Sequence, residues 1–221
     1  MFIKTKWNED FLAGLQRERT NRVVLLYSSG IDSTSSAILL KEQDYNIFPL
    51  FIYYGQSNGE VEAKLVDKGA RQIGMNLVQR IDISNITELC ASKLIGDIAV
   101  DDQDAWLPAR NTLFLVLAGM YAQTIDADAI SIGYGIDDNF VFGDNMLVHH
   151  QLAEVLLSFS LTREIKVLLP IRGLNKKELI EIVRNHGMLD LTVSCWNAQW
   201  QDGKIVVCNK CANCIEREQA S

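Results

Sequence analysis

The residues Ser28, Ser29, Gly30, Ile31, Asp32 and Ser33 form a run of mostly small and polar side chains between an apolar stretch and a helix-compatible one. Ser28, Ser29 and Ser33 offer hydroxyl donors, Gly30 lets the backbone turn tightly and approach a ligand, and the free N–H groups of a helix start favour an anion. The segment from Tyr27 to Ser33 therefore reads as a phosphate cradle. Asp32 is the odd member, because a carboxylate facing phosphates needs either backbone donors or a divalent cation between the two. A plain turn capped by Asx or Ser side chains, with no ligand, is the competing reading. The stretch matches neither G-x-x-x-x-G-K-[ST] nor G-x-G-x-x-G.

The second chemical constellation is a set of thiols. Cys195, Cys208, Cys211 and Cys214 lie near one another in sequence, with two overlapping C-x-x-C steps, while Cys90 stands apart in "ITELCASKL". Thiolates at these spacings suit a closed, tetrahedral Zn²⁺ site in a reducing compartment. An iron–sulfur cluster uses the same ligand type and remains open, and buried free cysteines are the third possibility. Cys90 reads as a small buried hydrophobe. Lys210 and Arg217 are placed to offset the charge of the thiolates, to contact phosphate, or to lie in solvent.

These groups must be positioned by an alternation of apolar runs. "RVVLLYS" from Arg22 reads as a strand, "STSSAILLKEQ" as a helix, "NIFPLFIYYG" as a strand and "EVEAKLVDKGARQIG" as a helix ending at Gly74. "NLVQRIDIS" is a third strand, Thr112 to Thr124 a long helix, and "DAISIGY" a fourth strand. "HHQLAEVLLSFSL" is helical, "IKVLLPI" strand-like, and "NKKELIEIVRNHGM" a helix with an Asn cap ending at Gly187. This order predicts an α/β fold: an open, doubly wound, mainly parallel sheet with helices on both faces. Ligands of such sheets bind at the carboxyl ends of the strands, where the loop at Ser28 falls.

Composition narrows the class. The chain has 221 residues, 48% apolar and 22% charged, with a net charge of −7. That acidity argues against general nucleic-acid binding, which is driven by neutralising phosphates. No run approaches the roughly 18 to 20 apolar residues of a membrane span. No secretory leader is evident, so a soluble cytoplasmic protein is expected.

The segment Ser28 to Ser33 resembles the PP-loop, S-G-G-x-D-S, of ATP pyrophosphatases, with Ser29 in place of the first Gly. Three further segments resemble the 7-cyano-7-deazaguanine synthase (QueC) family. "YYGQSNGEVEAKLVDKGARQIG" is similar to its D-Y-G-Q-x-H segment through Tyr54, Gly55, Gln56 and Glu60, with Asn58 at the His position. "LPARNTLFLVLAGMYAQTIDADAISIGY" is similar to its P-G-R-N segment, with Ala109 for Gly. "VSCWN" and "CNKCANCIERE" are similar to its terminal cysteine pattern, with Trp196 departing from the family's Tyr. The resemblance spans residues 22 to 218.

It implies an adenine nucleotide alpha hydrolase-like domain over residues 1–190 and a four-cysteine zinc segment over 191–221 packed on it. It implies ATP held by Tyr27, Ser28, Ser29, Gly30, Ile31, Asp32, Ser33 and Gln56, with Mg²⁺ at Asp32 and Zn²⁺ on the cysteines. Asp32, Ser33 and Arg110 are the expected catalytic residues, and Arg110, Asn111, Asp137, Asp138 and Asp144 the expected contacts to a 7-carboxy-7-deazaguanine. Asn145 and Met146 replace the Cys-Arg that follows the family's aspartate. Arg110 is otherwise placed for a surface ion pair with Asp101, Asp102 or Asp104, and Trp196 either stacks on a base or covers the metal. The implied reaction joins the carboxylate to ammonia through an acyl-adenylate, giving an amide and then a nitrile, in a homodimer. No glutaminase segment is present in the sequence. Rival readings are a relative that stops at the amide or attaches the deazaguanine to a macromolecule, with operon partner proteins in a defence or modification system. A PP-loop tRNA-modifying ligase and an inactive ATP-binding scaffold are the remaining alternatives.

Overall fold

The computed structural model describes residues 19–90, 92–96, 98–133 and 142–220. Its centre is β1 (Arg22–Leu26), in which Val23, Val24 and Leu25 have no exposed surface. A strand apolar on both of its faces, as here from Val23 to Leu26, survives only with both faces covered. Val24 and Leu26 meet Leu115, Ala118, Ala153 and Leu157 on one side, while Val23, Leu25 and Tyr27 meet Ala37, Leu40 and Val66 on the other. Each such Val or Leu contributes about 1.5 to 3 kcal/mol by leaving water.

Around β1 the sheet runs in the order β3-β2-β1-β4-β5, all parallel, with β2 Asn46–Tyr53, β3 Gln79–Asp82, β4 Ala129–Ile132 and β5 Lys166–Leu168. Helices α1 (Ile31–Glu42) and α2 (Gly59–Ile73) cover one face; α3 (Arg110–Thr124) and α4 (Leu147–Ser160) cover the other. The expected doubly wound fold is present. The order reverses between β2 and β4, so the loop leaving β1 sits at the switch point where such sheets bind ligands.

Helix α5 (Lys176–Asn185) packs on α1 through Ile38, Leu179, Ile180 and Val183. Its Asn175 cap is as expected: Oδ1 accepts the Glu178 N–H at 3.1 Å, and the Glu178 carboxylate accepts the Asn175 N–H at 2.7 Å. Helix α2 ends as expected at Gly74, which takes a left-handed φ of 76°.

Several boundaries shift from the sequence expectation, with α3 starting at Arg110, α4 at Leu147 and β5 covering only Lys166–Leu168, and three further differences lie elsewhere. Helix α1 starts at Ile31, two residues early, which puts Asp32 and Ser33 in its first turn. Strand β3 covers only Gln79–Asp82 of "NLVQRIDIS", because Asn76 donates its N–H and a side-chain N–H to the Ile47 carbonyl and leaves Leu77 in solvent. The third difference is a hairpin, β6 (Gln199–Gln201) with β7 (Lys204–Val206), turned by Asp202 and Gly203 with φ of 48° and 78°. Asp-Gly with both residues left-handed is the turn that matches strand twist. It leads into α6 (Ala212–Ala220), also unassigned from sequence.

Gly69 of α2 shows how closely α2 approaches β1. A Cβ there would stand 2.1 Å from the Tyr27 hydroxyl oxygen. Gly69→Ala is expected to cost about 1 to 3 kcal/mol by overpacking. Denaturant unfolding should show most of that loss recovered in the double variant with Tyr27→Phe, which removes the colliding atom.

Candidate functional site

The β1–α1 loop is bent by Ser29, not by Gly30. Ser29 has φ of 61°, whereas Gly30 has φ of −70° and a Cβ built on it meets nothing closer than 3.5 Å. The left-handed region costs an L-residue about 1 to 2 kcal/mol. The Val193 N–H holds the Ser29 carbonyl at 3.0 Å, and the Ser29 side chain is fully buried. Tyr27 also points into the core, 2% exposed against Gly69, so only its backbone faces the loop. Burial raises the Tyr27 phenol, opposed by the Thr34 and Ser29 hydroxyls beside it. Ile31 likewise packs inward, on α5.

What remains on the ligand side is Ser28, Gly30, Asp32 and Ser33. The Ser28 N–H donates to Ser33 Oγ at 3.4 Å, Ser33 Oγ donates to the Gly30 carbonyl at 3.2 Å, and the Gly30 N–H donates to Ser28 Oγ at 3.4 Å. Bonds this long leave the hydroxyls weakly engaged. Asp32 accepts from Lys176 Nζ at 2.7 Å, and the same ammonium reaches Glu216 at 3.3 Å. Burial alone would lower the Lys176 pKa, but the two carboxylates outweigh it and raise it. Lys176, the first residue of α5, was not singled out from sequence. Its partner lies 144 positions away, and only its place beside the helix cap marked it.

The loop after β2 supplies the next wall. Gln56, expected to touch ATP or the base, is 4% exposed and committed to protein: Oε1 accepts the Tyr54 N–H at 2.9 Å, and Nε2 donates to Ile52 O at 3.3 Å and Glu62 Oε2 at 2.9 Å. Asn58 donates to Glu62 Oε1 and to the Cys195 carbonyl, both at 3.2 Å. Glu60, which carries the motif match in sequence, points to solvent and pairs with Lys64; helix phase puts Glu62 in the cleft instead. Burial pushes the Glu62 carboxyl up to about 7, against the pull of Gln56, Asn58 and Arg110. Desolvation raises Tyr54 as well, against the charge of Arg110.

Helix α3 brings Arg110 and Asn111. The cap, Ala109, has φ of 56°, so both motif glycines replaced in this chain lie at left-handed positions. Arg110 Nη1 donates to Tyr54 Oη at 3.4 Å, and its guanidinium stands over that ring at 5.8 Å. Asp104 pairs with Lys93 at 2.8 Å, not with Arg110. Asn111 donates its side-chain N–H to Asn145 Oδ1 at 2.7 Å and its backbone N–H to Asp144 at 3.4 Å, which brings Arg110, Asn111 and Asp144 together. Asp137 and Asp138 lie outside the described residues.

The four cysteines converge. All four sulfurs lie within 4.8 Å of one another, with Cys195 to Cys208 at 3.5 Å and Cys208 to Cys214 at 4.0 Å. Four sulfurs on one zinc stand about 3.8 Å apart for Zn–S of about 2.3 Å, so the donor set fits a single tetrahedral ion. The Cys211 N–H and Asn197 Nδ2 point at Cys208 Sγ, at 3.4 and 3.6 Å. Burial would raise Cys208, but the N–H groups of Lys210, Asn197 and Cys211 bring it down to about 6; burial drives Cys195 up. Cys90 lies apart and donates to Ile86 O. Arg217 donates to the Thr192 and Leu189 carbonyls, which makes it a tie within the segment.

These pieces enclose two adjoining cavities. One, of about 260 Å³, is lined by Ser28, Gly30, Ser33, Gln56, Glu62 and Arg110. The other, of about 820 Å³, is lined by Asp32, Arg110, Asn111, Asp144, Lys176 and Glu216. Trp196 borders both and packs beside Cys208 and Cys214, joining the two places expected for it. Hydroxyls, helix N–H groups and cations so placed suit phosphates on one side and a carboxylate on the other. Among the described residues no helix is long and apolar enough to cross a membrane.

The family model described as queuosine biosynthesis protein QueC matches residues 22–221. Two relatives named 7-cyano-7-deazaguanine synthase, from Desulfitobacterium hafniense and Picrophilus torridus, are each 30% identical. The first alignment covers 90% of this chain and 91% of the relative, the second 89% and 85%. Among solved structures, a predicted subunit of tRNA methyltransferase from Methanocaldococcus jannaschii matches with TM-score 0.51 at 22% identity, over 74% of each chain. NMN synthetase from Francisella tularensis matches with TM-score 0.51 at 13% identity, over 89% of this chain and 77% of that one. Both likenesses concern the fold alone.

Two outcomes follow from the geometry. Ala109→Gly, which relieves a left-handed residue, is expected to gain up to about 1 kcal/mol after the entropy that glycine adds to the unfolded chain, seen as a Tm rise of a few degrees. Metal analysis is expected to return one zinc per chain, lost with a drop in Tm in Cys211→Ser and retained in Cys90→Ser.

Proposed function

The chain belongs to the QueC family of queuosine biosynthesis proteins, and we propose that it uses ATP and ammonia to convert 7-carboxy-7-deazaguanine to the amide and then to 7-cyano-7-deazaguanine. The observation that carries this reading is the meeting in one cleft of the Ser28–Ser33 loop, the Asp32–Lys176 pair, and Arg110 with Asn111 at the start of α3.

The substrate carboxylate oxygen attacks the α-phosphorus of ATP, and the bond to the β-phosphate breaks. Ser28, Ser33 and the N–H groups of the first turn of α1 receive the departing pyrophosphate, whose charge grows as it leaves. Lys176, held beside the loop by Asp32 and Glu216, needs only a short side-chain movement to follow that charge. Arg110 orients the carboxylate through its fixed fork of donors, with Tyr54 supporting the guanidinium from behind. Ammonia then displaces AMP from the acyl-adenylate to give the amide. In a second round the amide oxygen attacks ATP, and loss of AMP leaves the nitrile, so both carboxylate oxygens depart on AMP.

One carboxylate beside a phosphate cradle fits Mg²⁺, which takes one or two protein carboxylates and completes its shell with phosphate and water. Asp32 is the residue that would hold it, and the ion, when bound, would screen the approach of the carboxylate to the phosphate. Zinc on the four cysteines leaves no open position, which assigns it to holding the C-terminal segment.

The test is incubation of zinc-replete protein with ATP, Mg²⁺, 7-carboxy-7-deazaguanine and ammonium, following AMP and the base by mass spectrometry. Nitrile is expected with two AMP per turnover, and a loss of about 100-fold or more in Asp32→Ala. Accumulation of amide alone would restrict the reaction to its first half. ATP binding without AMP would leave the scaffold reading.

A further inference from the structure

The smaller cavity is lined by two carboxylates in different settings, Asp32 and Glu62. Asp32 is matched directly by Lys176. Glu62 has no such partner among the described residues: its two oxygens are each held by one neutral amide, Gln56 Nε2 at 2.9 Å and Asn58 Nδ2 at 3.2 Å. A carboxylate oxygen accepts from more than one donor, so both oxygens keep capacity on the cleft side. The side chain lines the same cavity as Ser28, Ser33 and Arg110. Two carboxylates whose surroundings set them apart in this way divide into a fixed charge and a proton carrier.

We propose that Glu62 is the proton acceptor for the nitrogen that adds to the acyl-adenylate. This rests on the reaction proposed above, in which nitrogen loses three protons, one in making the amide and two in making the nitrile, and which so far has no group to take them. When ammonia adds, the C–N bond forms, the carbonyl pair moves to oxygen, and the nitrogen becomes cationic. Glu62 takes one of its protons as the C=O bond re-forms and AMP leaves with the C–O pair. In the second round the adenylated amide nitrogen gives up two protons: loss of the first leaves a neutral imidate, and Glu62 takes the second as the N–H electron pair closes the C≡N bond and AMP leaves with the C–O pair. Each proton then passes to solvent.

Burial holds the carboxyl at about 7, which suits a base at neutral pH. The charged and titratable groups facing it are Arg110 from α3 and Tyr54 from the loop after β2. Toward the C-terminal segment the contact runs through neutral Asn58 to the Cys195 carbonyl. Gln56 and Asn58 are positioning residues, since each orients one oxygen.

Glu62→Gln separates the steps. Exchange of pyrophosphate into ATP, dependent on the deazaguanine carboxylate, reports adenylation and is expected within about threefold of wild type. Amide formation with ammonium is expected to fall about 10² to 10³-fold. With methoxyamine, whose adduct loses its proton readily to water, the fall should be under about tenfold, because the base is then dispensable. In wild type the rate at fixed total ammonium should rise with two proton losses below pH about 7 and with one above it. Glu62→Gln should show one throughout, and Glu62→Asp should restore part of the ammonium rate. Equal losses in exchange and with both amines, or an ammonium rate within threefold of wild type, would overturn the assignment alone. Absence of carboxylate-dependent exchange in wild type would overturn the reaction and the assignment with it.

Discussion

The end of β4 passes directly over the first turn of α1. A Cβ on Gly133 would stand 2.5 Å from Ser33 Cα, a separation that backbone cannot accept. Only glycine lets the two meet, and the meeting fixes where the first turn of α1 opens relative to the sheet. The buried strand β1 pins the other side, with Tyr27 N–H on the Leu50 carbonyl at 2.9 Å. Between these contacts the loop has little freedom, which is how Ser29 is held at a left-handed φ without being glycine. The strain is carried by its surroundings, a pattern that accompanies binding sites.

The C-terminal segment supplies many of those surroundings. Val193 holds the first loop through Ser29, and the Cys195 carbonyl holds the second through Asn58. Asn197 exchanges hydrogen bonds with Ala99 at 3.1 and 2.8 Å, and the Ala212 N–H reaches the Val100 carbonyl at 2.8 Å. Glu216 shares Lys176 with Asp32. The cysteine cluster therefore lies in a strap that touches both loops, the segment before α3 and Lys176 of α5. Val61 and Leu65 of α2 bury against Val193, Cys195 and Cys211, giving the strap an apolar seat.

The sheet and most of its helices were legible because they obey local rules. β1 is apolar from Val23 to Leu26, Gly74 ends α2, and Asn175 with Glu178 starts α5. The cysteine spacing likewise encoded its own cluster. The missed features depend on what lies across the fold. Lys176 reads as an ordinary first-turn lysine until Asp32 is brought to it. Glu60 and Glu62 differ by about 200° around a helix, so an error of two positions exchanges solvent for cleft. The assignment of the turn to Gly30 followed residue type, whereas the conformation at Ser29 is dictated by Val193 and the buried pocket beneath. The Asp202–Gly203 hairpin was the exception, since its signal was local and went unread.

The strap has a consequence for how the molecule is made. The Ser28–Ser33 loop leaves the ribosome early, but the groups that fix its shape, Val193 and Asn58 through Cys195, are joined only when a far later part of the chain arrives. Contacts between residues so distant in sequence are slow to form and are secured late. The α/β layers can assemble during synthesis, whereas these hydrogen bonds to the loops are completed only once Val193 and Cys195 have been translated. The last contacts to shape the two loops are thus the ones that span the greatest length of chain.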